Sequence, residues 1–238
     1  MPVTQLMQDH FNAYCREHLF NNNQLIVGDM LYYPSLALCA LDAVMSIRLD
    51  YHRQVVPVLE NVCNAVNIPF ILTPTIPPVG QQVRVSDFVL RLENLGLWTV
   101  DDLRGLIHNY MTAGSRQIYK ADAFIQFIQM IKDAGVETYQ DLNGLDDVVR
   151  HQLEINLKTI LGQKVSVDYF FMLAGEPFMV KVDTRLRRFS QEATGVNGLT
   201  NQDIVDLFCS AAEILSAENN QIITPRHLDH AAWTYKRA

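Results

Sequence analysis

Gly162–Arg188 reads GQKVSVDYFFMLAGEPFMVKVDTRLRR. Lys164 follows a Gly-Gln turn and opens the run VSVDYFFML, apolar on most faces, which is the pattern of a packed helix. Gly175-Glu176-Pro177 ends that helix. Val182-Asp183 then leads into a second helix carrying Arg185, Arg187 and Arg188, with Asp183 where an N-cap belongs. Between positions 181 and 188, Lys181 and those three arginines outnumber the single carboxylate of Asp183. An amine, a carboxylate and a local block of positive charge on packed helices are the groups that a nucleic-acid lyase needs.

Working outward, helical spacing recurs along nearly the whole chain. Leu6, Met7, Phe11, Tyr14 and Leu19 predict a helix over 4–20, and 21–29 reads as a loop. From Ser35, LALCALDAVMSIRL is apolar nearly all round, as in a helix buried on most faces. Val55, Val58, Leu59, Val62 and Val66 form one stripe of a partner helix over 54–66. Pro69, Pro74, Pro77 and Pro78 make the next stretch an extended connection, because proline at that density breaks helices and central strands alike. Ser86 is the expected cap of a helix to Leu95, and Thr99 of one reaching about Asn109. Ile118, Ala121, Ile125, Ile128 and Ile131 mark the clearest amphipathic helix, which ends at Gly135. A short element begins at Thr138 or Asp141, and Asp146–Asn156 turns Val149, Leu153 and Leu157 inward. After Asp183 a helix runs to Ala193, Thr200 caps the next, and Thr224-Pro225 opens the last. No stretch alternates with period two and no internal repeat is present, so the class is all-α.

Composition narrows the function classes. The chain has 238 residues, 49% apolar and 19% charged, which is enough for a substantial buried core. No uninterrupted apolar run reaches the length of a membrane span, and the first residues carry no basic start with an apolar core. A cytoplasmic location follows, nucleoid-associated in a bacterium or archaeon. Cys15, Cys39, Cys63 and Cys209 are scattered without a C-x-x-C pair, so neither a zinc knuckle nor a cysteine-ligated cluster is expected, and each reads as a small hydrophobe. His227 and His230 lie three apart with no third ligand signposted, so no metal site is expected. A net charge of −7 argues against indiscriminate coating of nucleic acid but leaves room for a locally basic patch.

The quoted stretch resembles the helix-hairpin-helix DNA glycosylase superfamily, which includes endonuclease III and 8-oxoguanine glycosylase. The shared features are Gly162-Gln163-Lys164-Val165-Ser166, Gly175-Glu176-Pro177 and Val182-Asp183-Thr184, with Lys164 and Asp183 nineteen positions apart as in the 8-oxoguanine branch. Tyr119-Lys120-Ala121-Asp122 and Ser46-Ile47-Arg48 are fainter upstream counterparts, so the resemblance covers about residues 36–238 in order. It implies a single glycosylase-like domain over 1–238, a two-lobed helical bundle with lobes at about 36–145 and at 1–35 plus 146–238. It further implies base-excision repair of damaged double-stranded DNA by a monomer, without a cofactor, leaning toward oxidised purines. On this resemblance Lys164 is the nucleophile and Asp183 the carboxylate that stabilises developing charge on the sugar. Gly162, Gln163, Lys181, Arg185, Arg187, Arg188 and Arg48 are the DNA-binding residues, Arg48 as a wedge filling the hole left by an everted base. Tyr169, Phe170, Phe171 and Trp233 are available as pocket walls.

Two departures bear on the chemistry. The family hairpin reads L-P-G-V-G, whereas this chain has Lys158-Thr159-Ile160-Leu161-Gly162, with Ile160 in place of the glycine that lets backbone amides approach a phosphate. Thr184-Arg185 stands where the family often has Thr-His. A non-catalytic DNA-binding or interaction protein that keeps the glycosylase fold is therefore the alternative, and an unrelated all-α interaction protein the third reading. For catalysis, the amine of Lys164, ordinarily protonated up to about pH 10.4, would have to be neutral; burial and nearby cations lower such a pKa.

Overall fold

The computed structural model describes residues 3–26, 32–112, 117–161 and 164–235; for Lys164 it describes the backbone alone. The described residues are all-α apart from one miniature hairpin, and they divide into two compact units. One contains residues 31–175, the other residues 1–30 together with 176–238. The second boundary falls after Gly175, where the sequence had put it at about 145.

In the unit built from both chain ends, α1 (Gln5–Leu19) is capped by Thr4, whose hydroxyl accepts from the Met7 amide. Met7, Phe11, Cys15 and Leu19 recur every fourth residue and form its buried ridge. That ridge packs with α10 (Thr184–Thr194), α11 (Asn201–Asn219) and α12 (Pro225–Tyr235). Phe11 meets Phe189 and Phe208 edge-on, with ring centroids 5.9 and 5.1 Å away. The stretch after α1 is more than the expected loop: β1 (Phe20–Asn21) and β2 (Gln24–Leu25) pair antiparallel. Asn22 and Asn23 both lie at positive φ, the requirement of a two-residue type I′ turn that asparagine tolerates. Thr200 and Asp203 form a capping box at α11, and Gly195, left-handed at φ +69, ends α10.

The 31–175 unit is organised around α2 (Leu36–Met45), every residue of which is buried. A π-helical turn at Tyr51–Val55 leads into α3 (Val56–Ala65). There follow α4 (Val85–Asn94), α5 (Val100–Ile107), α6 (Lys120–Asp133), α7 (Tyr139–Asn143), α8 (Asp147–Leu161) and α9 (Lys164–Leu173). α2 packs with α6 and α9, and α8 packs with α6 and α9. Two expectations need correction. Ser86 does not cap α4: that helix begins at Val85, and the Ser86 amide donates to the Glu137 carboxylate at 2.8 Å, a partner 51 residues away. Val149 is exposed, and α8 buries Leu153, Leu157, Ile160 and Leu161 instead.

The proline-rich connection is tied down. Tyr32 and Thr73 exchange backbone hydrogen bonds of 2.8 and 3.0 Å, and Ile76 packs over Gly175. A Cβ at Gly175 would stand 2.7 Å from Ile76 Cδ1, and its φ of +103 is open to glycine almost alone. Cys15, Cys39 and Cys63 are buried free thiols, as expected of small hydrophobes, while Cys209 is half-buried. Among the described residues no helix is long and apolar enough to cross a membrane.

Candidate functional site

The predicted site residues fall in both units. Gly162 and Gln163 lie outside the described residues, between the end of α8 at Leu161 and the start of α9 at Lys164. Ile160, at the position of the family's hairpin glycine, is buried on α8.

Asp183 belongs to the unit of the chain ends and is the N-cap of α10, its carboxylate accepting from the amides of Arg185 (2.8 Å) and Leu186 (3.1 Å). An N-cap carboxylate satisfies otherwise orphaned amides and faces the positive end of the helix. The segment before it is held by a residue that the sequence reading passed over. Asp229, on α12 and 3% exposed, accepts the Lys181 amide at 2.6 Å, and the Lys181 carbonyl accepts the Asp183 amide at 2.7 Å. Burial pushes the Asp229 carboxyl up to about 8, the nearby Asp183 charge adding to the rise against the pull of Lys181 and Arg226. Asp229 is thus a neutral acid through most of the physiological range.

The basic block divides. Arg185 lies over the Trp233 ring, 4.4 Å from guanidinium carbon to centroid, with its Nη1 buried and lacking a hydrogen bond. Arg187 donates through Nη1 to the Leu199 carbonyl at 2.6 Å and through Nη2 to Asn201. Arg188 is exposed. Of the three arginines in this block, Arg185 and Arg187 are therefore engaged wholly or partly within their own unit. His227 Nδ1 accepts the Thr224 amide at 3.0 Å, a role in helix capping, and burial and Arg226 lower its pKa.

In the 31–175 unit, Arg48 is exposed and lies at φ +59 in the turn after α2. Close by sit two buried ionisable groups that were not among the expected site residues. Lys120, at the start of α6 and 0% exposed, donates from Nζ to the carbonyls of Met45 (2.7 Å) and Ile47 (2.6 Å). Burial pulls its pKa down to about 7, so the amine is largely neutral at slightly alkaline pH. Asp42, also 0% exposed, accepts hydroxyls from Ser46 (2.8 Å), Tyr33 (2.8 Å) and Tyr169 (3.3 Å). Burial and the Asp42 charge raise the Tyr33 and Tyr169 pKa values well above the ordinary phenol range, so both stay donors. The proposed wall residues Phe170 and Phe171 are core, Phe170 packing edge-on against Phe127 at 4.8 Å and Phe171 lying under Arg150. The signal for Lys120 was its place four residues before Phe124 on an apolar helix face, and that for Asp42 its place inside the run LALCALDAVM, read as buried on most faces; nothing local distinguished Asp229 from a surface acid.

Among the described residues no group of three or more His, Cys, Asp or Glu side chains is disposed to hold a metal ion. No curated protein and no solved structure matches this chain. A family described as a domain of unknown function, DUF8548, matches residues 9–237, and the protein belongs to that family.

Proposed function

We propose that this protein is a DNA glycosylase of the helix-hairpin-helix type with associated abasic-site lyase activity, directed at oxidised purines. The observation that carries the reading is Asp183, held as the N-cap of α10 by the amides of Arg185 and Leu186, after a segment in which buried Asp229 accepts the Lys181 amide, and followed by basic residues. It is supported by α8 and α9, which pack together and are separated by two residues, with Lys164 the first residue of the second. In the reaction, neutral Lys164 Nζ attacks the sugar C1′ and the damaged base leaves with the glycosidic electron pair. Loss of a proton from the amine and opening of the sugar ring give a protonated Schiff base. Removal of a C2′ proton then expels the 3′ phosphate by β-elimination. The Asp183 carboxylate stabilises positive charge on the sugar in the first step.

Borohydride reduction is the test, because it converts the Schiff base to a stable amine. A covalent protein–DNA adduct is expected on duplexes carrying an abasic site or an oxidised purine, and Lys164→Ala should abolish it. Asp183→Asn should form the adduct about a hundredfold more slowly, the usual loss for such a group. The absence of an adduct with every damaged duplex, in folded protein, would refute the activity.

A second reading, a DNA-binding or interaction protein that keeps the fold without the chemistry, draws on buried Ile160 and on the internal engagement of Arg185 and Arg187. It expects salt-dependent duplex binding with a slope set by few phosphates, and no adduct.

A further inference from the structure

The turn after α2 presents Arg48 with a backbone conformation that residues other than glycine rarely adopt, φ +59. Such conformations persist where the surroundings over-determine them, and they gather at functional sites. Here the surroundings are specific. On one side of Arg48, the carbonyls of Met45 and Ile47 both accept from Lys120 Nζ, and the Ser46 hydroxyl donates to Asp42. On the other side, Asp50 accepts the Arg53 amide at 2.8 Å and donates its own amide to Gln54 at 2.9 Å. Consecutive residues 45, 46 and 47 are thus each gripped, two of them by a lysine sunk in an apolar core. Arg48 itself is exposed and makes no hydrogen bond or ion pair with a described residue.

A buried lysine loses its hydration, and its hydrogen bonds to two carbonyls replace only part of it. A helix C-terminus can be finished more cheaply by glycine or by a surface lysine. The buried polar groups converge on one exposed turn, and that turn carries one uncommitted cation. We propose that Lys120 and Asp42 are positioning residues that hold the Arg48 turn in a preset conformation, so that its guanidinium enters a gap in a damaged duplex without first having to be ordered. The inference rests on the DNA reading above but not on lyase chemistry. Pre-ordering raises affinity by removing the entropy lost when a flexible arginine and its loop are immobilised.

The test uses the full chain and a duplex containing a tetrahydrofuran abasic analogue with 2-aminopurine beside it, whose fluorescence rises on unstacking. The unaltered protein is expected to bind and to raise that fluorescence. Arg48→Ala should abolish the rise and weaken binding about tenfold, one good charged contact. Lys120→Met should produce the same losses, and the double variant should be no worse than Arg48→Ala alone, because both remove one device. Where Lys120→Met fails to fold by circular dichroism, Ser46→Ala, which frees the turn from Asp42 at a half-buried hydroxyl, stands in for it with the same expectation. Multiplicative losses in the double variant, or full fluorescence in Lys120→Met and Ser46→Ala, would assign Lys120 and Asp42 to folding alone and overturn the proposal. Failure of the unaltered protein to bind the duplex would overturn it together with the DNA reading, whereas binding without a borohydride adduct would remove only the lyase.

Discussion

Replacing Asp229 with asparagine should stabilise the protein, and increasingly so as pH rises. Asp229 is 3% exposed and its pKa is pushed from 3.8 to about 8. In the unfolded chain the carboxyl ionises at its ordinary value, so between about pH 4 and about pH 8 the folded state must keep a proton that the unfolded state has released. For an acid with a raised folded pKa, stability is therefore greatest below the unfolded pKa and declines as pH climbs toward the folded one. Each pH unit is worth about 1.4 kcal/mol, so across this window the loss reaches about 5 kcal/mol. Asparagine keeps the acceptor for the Lys181 amide, bonded at 2.6 Å, and carries no proton to lose. Urea titrations of the two proteins should coincide near pH 4 and separate steadily to pH 8, with Asp229→Asn the more resistant. Trp233 lies on α12 with Asp229, so a Trp98→Phe background isolates the fluorescence of this unit. A difference that stays flat across the window, or a less stable Asp229→Asn at pH 8, would refute the claim that Asp229 is held as a neutral acid.

Lys120 has the opposite dependence. Its folded pKa of about 7 lies below the ordinary 10.5, so its contribution rises with pH from about 7 to about 10.5. Lys120→Met leaves two carbonyls unbonded and should cost about 2 kcal/mol or more above pH 10, with a smaller deficit at pH 7, read from chemical denaturation at both values. Gly175→Ala should destabilise by about 2 kcal/mol, chiefly because φ +103 is a backbone region hostile to side chains, while Ile76 Cδ1, 2.7 Å from the new methyl, can swing aside; a thermal midpoint unchanged from the parent would contradict it.

Helices were legible because their signals are local. Thr99 and Thr200 each cap the helix expected of them, Ser35 and Thr138 cap helices expected to begin near them, and the prolines at 69–78 keep helices and paired strands out apart from a single bridge between Thr73 and Tyr32. Misreadings arose where a distant partner overrode the local rule. Ser86 yielded the start of α4 to Val85 because Glu137 reaches its amide from another part of the chain. Asn22-Asn23 specifies a turn, but the flanking strands are two residues each, too short for any alternation to register. The buried ionisable groups were hardest to foresee. Asp42 meets Tyr169 across 127 residues, Lys120 meets Met45 across 75 and Asp229 meets Lys181 across 48, so the partners that make their burial tolerable belong to the assembled unit even where, as around Asp42, the local run already reads as buried.

The unit of the chain ends carries a penalty in time. Its first helix, with the ridge Met7, Phe11, Cys15 and Leu19, can be covered only after α10 to α12 have been made, since those are the helices it packs with. The residues separating α1 from α10 take on the order of 10–30 s to synthesise at ordinary elongation rates. For that interval a greasy stripe waits while the inserted 31–175 unit has already had the chance to close. Slow-codon or cold-growth conditions lengthen the wait, and the aggregates they produce should be nucleated by the nascent N-terminal helix rather than by the larger unit that follows it.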